Sequence, residues 1–521
     1  MKISKAFLSL WAGMILAGAL DSCRDLSVVN ENAPDRERVL ADPQNVESII
    51  GNSFLRYWQS VHQYYPALTI STLADELSSS WCHGTYYLSS EPRVAWDNDP
   101  AFRYKGLTER PWYLAYDAIT MAIDGSKRIE NGMRIIDNEG VDQTIRAKAF
   151  AKFVMGLAYG HLGCFFDQAF ILDESHDLES GDINLESYLD VVAFAISLLE
   201  ETIALCEMNV FVLPETWING LALDEKELQR LAHSYAARYL ASVGRSSAER
   251  EAADWEKIKY HADRGITQDF APIGDGQFWW QGTHYLGQNA LWTRADYKTI
   301  GWADTSGAHD AWLAAPLSER NWYLIHTDDR RITGGHPEKD GTDFAYAGQP
   351  SFRPHRGIYH FSGYVHKRYR DHYLNQGIGA MVCFMVAELN LLKAEFYLRQ
   401  GDAVSAAVEI NKTRVSRGGL KPAAAIDGIG TVYDQRDPRG SLWAQMKYEK
   451  GVECFVGQAL VAFYDRRGWE ELVTNTPIHF PIPGRDLEIL MMDNYTFGGG
   501  GAGSAPKSQN SPSPLYEPDC F

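Results

Sequence analysis

Apolar residues recur at three- and four-residue spacing through most of this chain, and where that period stops, tryptophan and tyrosine gather among polar residues. The clearest periodic stretch runs from Met381 to Leu420. Met381, Met385, Leu389, Leu392 and Phe396 define one helical face, and Val404, Val408, Asn411 and Val415 define another after a turn. Gly401 suits the left-handed residue that closes the first helix, and the Asp402 side chain can accept from the free amides of the second. Ala403, Ala406 and Ala407 leave room for the two helices to approach. The same period predicts helices from Pro43 to Tyr65, Pro111 to about Asn131, Val141 to Gly163, Leu185 to Cys206, Asp224 to Val243, Ala252 to Arg264 and Arg439 to Tyr464. Gly156, Gly160 and Gly163 line up on one of them and predict a close helical neighbour; Arg146, Lys148 and Lys152 argue against a membrane dimer motif there.

A lone hairpin cannot bury its own apolar face, so these helices are expected to stack in antiparallel pairs. Pro111–Asn131 with Val141–Gly163 reads as one pair, and the Met381–Leu420 hairpin is expected to stack on it. Ala394, Tyr397, Gly401 and Ala406 stand where tetratricopeptide-like hairpins place small residues, an aromatic and a turn. The period is irregular, which indicates degenerate repeats.

Two stretches escape this pattern. One, LADELSSSWCHGTYYLSSEPRVAWDNDPAF, gathers Trp81, Tyr86, Tyr87 and Trp96. The other, residues 266–378, carries Phe278, Trp279, Trp280, Tyr285, Trp292, Trp302, Trp312 and Trp322 among Gly, Asn, Thr and His. A loop region this long inside a compact protein usually has a use. Exposed aromatic faces flanked by amides and hydroxyls are what sugar rings bind, the C–H face stacking while the ring hydroxyls take hydrogen bonds. The competing reading is that these rings staple the loops onto the helices.

The chain has 521 residues, 45% of them hydrophobic and 12% aromatic, enough for one large body with a sizeable core. Its net charge of −19 excludes a nucleic-acid backbone as the expected partner. At the start, Lys2 and Lys5 precede an apolar run from Ala6 to Ala19, followed by Leu20-Asp21-Ser22-Cys23. This resembles a bacterial lipobox, with Asp21 where a small residue is usual, and it implies a signal peptide over residues 1–22 and lipidation of Cys23. An ordinary signal peptide that happens to contain a cysteine is the alternative. Residues 23–42 then form a polar tether, residues 43–497 a single domain, and residues 498–521 a Gly-, Ser- and Pro-rich tail.

Chemistry is sparse by comparison. The cysteines form no CxxC pair, and Cys206, Cys383 and Cys454 lie in apolar helical stretches and are expected as buried free thiols, with a disulfide in the oxidising envelope as the alternative. His355, His360, His366 and His372 fit no one-face ligand spacing. HExxH, GxSxG, Walker A and EF-hand signatures are missing, and no cofactor is expected. Glu200-Glu201 and Asp328-Asp329 are adjacent in sequence, which does not supply the two acids across a cleft that glycoside hydrolysis needs.

Taken in order, the lipobox, GLAYGHLGCFFDQAF, DDRRI at Asp328–Ile332, AEFYLRQGDAVSAAVEINKTRVSRGGL and FPIPGRDLEI resemble the SusD/RagB family of Bacteroidetes surface lipoproteins. The helix before the last motif departs from the family pattern, with FVGQA at Phe455–Ala459 where FEGxR is usual. The resemblance implies a mainly α fold, with four tetratricopeptide-like pairs packed against a loop-rich ligand-binding side. It implies a non-enzymatic protein of the outer membrane, anchored by lipid and facing the cell exterior. Such a protein captures oligo- or polysaccharide for a SusC-like TonB-dependent transporter. By region, it points to Trp81, Tyr86, Trp96, Trp279, Trp280, Tyr285 and Trp292 as aromatic contacts and to Asp75, Arg93 and Asn98 as hydrogen-bonding groups. A helical-repeat protein binding peptide or another envelope protein, and a glycoside hydrolase, are the competing functions.

Overall fold

The computed structural model describes residues 36–79, 84–91, 93–176, 183–349, 361–424 and 441–499. The leader, Cys23, most of the 23–42 tether, Trp81, the Tyr86 side chain, His355, His360 and tail residues 500–521 lie outside the described residues. Eight helices build one side: α1 Pro43–Val61, α2 Gly106–Glu130, α3 Thr144–Phe165, α4 Tyr188–Met208, α5 Glu225–Ser242, α6 Trp255–Asp263, α7 Val386–Arg399 and α8 Ala403–Arg414. They pack as α1 with α2, α3 with α4, α5 with α6 and α7 with α8, and each pair stacks on the next. The mainly α architecture with four helix pairs is therefore as expected. Among the described residues, no helix is long and apolar enough to cross a membrane.

The pairing differs from the expectation in two places. Helix α2 takes α1 as its partner, because Gly125 lets Ile50 seat against it; a Cβ there would lie 2.3 Å from Ile50 Cγ1. The α7–α8 hairpin stacks on α6, far along the row from α2 and α3. The close neighbour predicted for the α3 glycines is present, since a Cβ on Gly160 would meet the Tyr239 ring of α5 at 2.2 Å.

Some boundaries also move. Helix α2 begins at Gly106 with Pro111 inside its first turns, where the missing N–H costs a single bond. Met381–Met385 is extended and not helical, because Phe270 accepts from Cys383 N–H at 3.0 Å and donates its own N–H to the Phe384 carbonyl at 2.8 Å. The long helix expected from Arg439 to Tyr464 is two, α9 Ser441–Glu453 and α10 Val461–Gly468. Between them Val456 and Leu460 have φ of 46° and 70°. The break is held by tertiary bonds: Val456 N–H donates to Glu76 Oε1 at 2.7 Å, and its carbonyl accepts from His284 Nε2 at 3.1 Å.

The loop-rich side contains short antiparallel pairs. Strand β1 (Leu77–Ser79) pairs with β5 (Thr293–Ala295), β2 (Gln168–Phe170) with β3 (Leu185–Ser187), β4 (Ile273–Asp275) with β8 (Ile378–Ala380), and β6 (Phe344–Tyr346) with β7 (Tyr364–His366). Isolated two-stranded ribbons are marginal in water, so each depends on what lies behind it. Buried ion pairs supply much of that support. Arg331 is fully buried, 2.7 Å from Asp329 and from Glu449 of α9 and 3.2 Å from Glu453. Tyr448 OH donates to Asp329 and Thr413 Oγ1 to Glu449, which joins the DDRRI segment to α8 and α9. Arg250 binds Glu395 and Asp465 in the same way, and Arg238 binds Glu388.

Arg331→Ala removes the main counter-charge from buried Asp329 and Glu449, while Glu453 keeps Arg368 and Arg417, and should destabilise the protein by about 3–5 kcal/mol in urea unfolding. Removing the exposed Arg36–Asp124 pair through Arg36→Ala should change it by less than about 1 kcal/mol.

Candidate ligand-binding face

An acidic residue shapes the most exposed aromatic loop. Asp275 Oδ1 accepts from the backbone N–H groups of Gln277 and Phe278 at 2.8 Å and of Trp279 at 2.9 Å. The loop therefore folds tightly around one carboxylate oxygen, and successive side chains leave it in different directions. Phe278 points out and is 53% exposed, whereas Trp279 points in and is 6% exposed. Trp279 lies against the Phe54 and Trp58 rings of α1, with centroids 6.0 and 5.7 Å away. The end of α1 grips the loop from behind: Trp58 Nε1 donates to the Trp280 carbonyl at 3.2 Å, and Gln63 Nε2 donates to that of Phe278 at 2.9 Å.

A second loop abuts the first through bare backbone. A Cβ on Gly276 would lie 2.8 Å from the Gln376 carbonyl oxygen, so only glycine permits this approach. The contact brings the exposed amides Gln277, Asn375 and Gln376 beside Phe278, Leu374 and Ile378, all solvent-facing. From there a row of half-buried rings follows. Trp280 meets Tyr285 edge-on at 6.1 Å, and Tyr285 meets Tyr373 at 5.8 Å. Asn289 donates through Nδ2 to Tyr373 OH at 3.0 Å and accepts through Oδ1 from Leu291 N–H at 2.9 Å. The row thus runs on to exposed Leu291 and half-buried Trp292, whose carbonyl accepts from Ser79 Oγ of β1 at 3.0 Å. Aromatic faces at intervals with amide donors and acceptors between them can hold a ring-shaped polyol by stacking and hydrogen bonding.

Of the residues singled out in the sequence, Trp280, Tyr285 and Trp292 meet here. Trp96 does not. It is 1% exposed and packs edge-on against Phe102 and Phe480 at 5.2 and 5.9 Å. Trp279, as described, belongs to the core. Asp75 and Arg93 form a buried pair at 2.8 Å, and Arg93 also donates to the carbonyls of Leu73 and Leu88 and to Thr476 Oγ1. Asn98 donates to the Ile482 carbonyl at 2.9 Å and accepts from Gly484 N–H at 3.2 Å. These four correct the sequence expectation: they bind the 75–98 loop to residues 476–484, a role that residue type alone does not distinguish from ligand binding. The sequence reading missed Tyr373 and the exposed amides of Gln277, Asn375 and Gln376. The turn-forming NQGIG after Tyr373 was the available signal for the second loop.

The other chemical candidates lie in the interior. Burial pushes His366 down to about 3 and His372 to about 4, so both are neutral. Among the described residues, no group of three or more His, Cys, Asp or Glu could hold a metal. Cys164, Cys206, Cys383 and Cys454 are buried free thiols. Asp329 is spent on Arg331, and Glu200 and Glu201 face solvent. Burial pushes the Glu76 carboxyl up to about 7, although Val456 N–H and Ser71 Oγ both donate to it. A separate cleft of about 1240 Å³ lies between α6, α9 and α10, lined in part by Trp255, Trp302, Trp443, Trp469, Lys450 and Gln458.

Trp279→Ala and Trp96→Ala should each cost about 3–5 kcal/mol in urea unfolding, whereas Phe278→Ala should stay within about 0.5 kcal/mol. Burial holds the folded Glu76 carboxyl up at about 7, above the usual 4.5 of a glutamate in water, so its stabilising contribution is complete below about 4.5 and is lost as pH rises through 7. Between about pH 5 and 8 the wild type should therefore lose on the order of 2 kcal/mol more stability than Glu76→Gln, read from midpoints across a pH series.

No protein-family profile matches the sequence, and no curated protein does. Solved structures do match. A SusD superfamily protein from Parabacteroides distasonis superposes with a TM-score of 0.54 at 13% identity, covering 86% of this chain and 97% of the other. One from Bacteroides fragilis gives 0.53 at 14%, covering 87% and 99%. A SusD-like carbohydrate-binding protein, also from Bacteroides fragilis, gives 0.53 at 13%, covering 83% and 87%. The chain has the SusD superfamily fold.

Proposed function

We propose that this protein captures oligo- or polysaccharide on the Phe278–Trp292 face and binds it without cleaving it. The observation that carries this reading is the row of half-buried aromatics that begins at exposed Phe278, with amides beside it, fixed by α1 and by the β4–β8 pair on the helical stack. Stacking contacts of about 1 kcal/mol each are weak alone, and affinity for a long glycan accumulates over several of them. Asp275 serves as a loop former, with one oxygen engaged by three backbone amides, and not as a general acid. The fold shared with a SusD-like carbohydrate-binding protein from Bacteroides fragilis supports the same ligand class. Delivery to a SusC-like TonB-dependent transporter and lipid anchoring at the cell exterior complete the proposal; the lipobox-like Leu20–Cys23 supports the anchor.

A second reading has one observation in its favour. The 1240 Å³ cleft mixes carboxylates, ammonium groups and indoles, which suits a peptide better than a neutral sugar.

Affinity electrophoresis against a polysaccharide panel tests the first reading. Retardation by at least one glycan is expected, reduced at least tenfold in Phe278→Ala plus Trp280→Ala; no retardation by any glycan, with a peptide recovered from the purified protein, favours the second. Cys23→Ala should move the protein from the membrane to the soluble fraction, and its retention in membranes would remove the anchor from the proposal.

A further inference from the structure

One end of the helical stack carries apolar side chains that stand exposed among the described residues. The α2–α3 connection exposes Ile136 and Val141, the first turn of α3 exposes Ile145, and the α4–α5 connection exposes Met208, Val210 and Val212. Val210 is 89% exposed and Met208 74%, while Phe211 between the two valines turns inward, so the outward direction of this segment is specific. The segments adjoin: Arg146 Nη1 donates to the Val212 carbonyl at 3.2 Å, and Asp137 N–H to that of Val141 at 3.0 Å. Single exposed apolar residues are ordinary on a protein surface, but six gathered at one end of a helical stack ask for a partner.

The place where residues 36–39 join the fold points to that partner. Residues 36–39 meet the fold at this same end, Arg36 pairing with Asp124 and Glu37 with Arg128 near the last turns of α2. Next to them a groove of about 510 Å³ runs between Arg38, Pro43, Arg134 and Ile136. If Cys23 carries the anchor, the residues from Arg24 to Asp35 reach at most about 45 Å when extended and about 20 Å on average. This end is then the part of the molecule held nearest the bilayer.

We infer that the face formed by Ile136, Val141, Ile145, Met208, Val210 and Val212 rests on the lipid surface to which the chain is anchored. The valines and Met208 enter the headgroup boundary, and the neighbouring Arg38 guanidinium lies at the level of the phosphates, whereas Arg134 is engaged by Asp142. The contact sets an orientation. Helix α1 starts in the groove at this end and finishes at Trp58, which holds Trp280; its 19 residues make it about 28 Å long. The aromatic face is thereby carried roughly one helix length out from the membrane. This inference rests on the anchoring part of the proposed function and is independent of glycan binding.

The test uses the full-length lipidated chain in vesicles of phosphatidylethanolamine and phosphatidylglycerol, with Cys82 and Cys520 replaced by Ser. A nitroxide label is placed at Val210→Cys and, in a second preparation, at Phe278→Cys. At 210, relaxation by membrane-soluble oxygen should exceed that by a water-soluble nickel chelate at least threefold, with the order reversed at 278. Equal, water-like ratios at both positions overturn the inference, as does shielding at 210 that occurs only when a transporter is present. If Cys23 proves not to be acylated, the anchor reading fails separately. Sedimentation of the unacylated chain with the same vesicles then decides: binding lost in Val210→Glu plus Val212→Glu supports the lipid contact, and no binding overturns it. Glycan retardation, measured in parallel, reports on the ligand face alone.

Discussion

Arg331 carries its charge at full burial between Asp329, Glu449 and Glu453, and the loop-rich side cannot leave α9 without taking that charge away from buried Glu449. The strand pairs on that side are three residues long and could not persist on their own ribbons. Their order is borrowed from the helices through contacts of this kind. Arg250 repeats the device between Glu395 and Asp465, and Arg467 applies it to main chain, donating to the carbonyls of Ser242, Gly244, Cys164 and Ile478. Guanidinium groups suit this work because five donors in a planar fork can satisfy several acceptors at once.

Much of the helical half was legible in the sequence because its signals are local. Asp402 caps α8 and Gly401 takes the left-handed conformation at the α7–α8 turn, as their types require. Asp224 and Glu227 form a capping box within a helix placed correctly to within a residue or two. What failed was decided at long range. Met385 has the spacing of a helix, yet the segment it ends pairs with Phe270, more than a hundred positions earlier in the chain. The Arg439–Tyr464 period is helical throughout, yet Glu76 and His284 together hold Val456 out of the helix.

The ligand face shows the same limit at single-residue scale. Trp279 and Trp280 are neighbours of one type, and one is core while the other lines the surface. Their difference is set by Asp275, whose carboxylate fixes the direction in which each side chain leaves the loop. Asp75, Arg93 and Asn98 have the chemistry of ligand contacts and are consumed internally, since a buried polar group without partners is too costly to leave free. A sequence displays the inventory of donors and acceptors; the fold determines which remain available to a guest.

The backbone contact between Gly276 and Gln376 carries a further consequence. Two loops that touch without side chains between them have no compressible layer, so a residue inserted in either displaces the other bodily. Descendants of this scaffold can exchange Phe278 or Leu374 freely, because those side chains lie outside the contact, whereas the lengths of the two loops must be inherited together. Diversification of ligand preference is thus channelled into substitution at fixed loop length, and a homologue with one loop altered in length and not the other has a different face altogether.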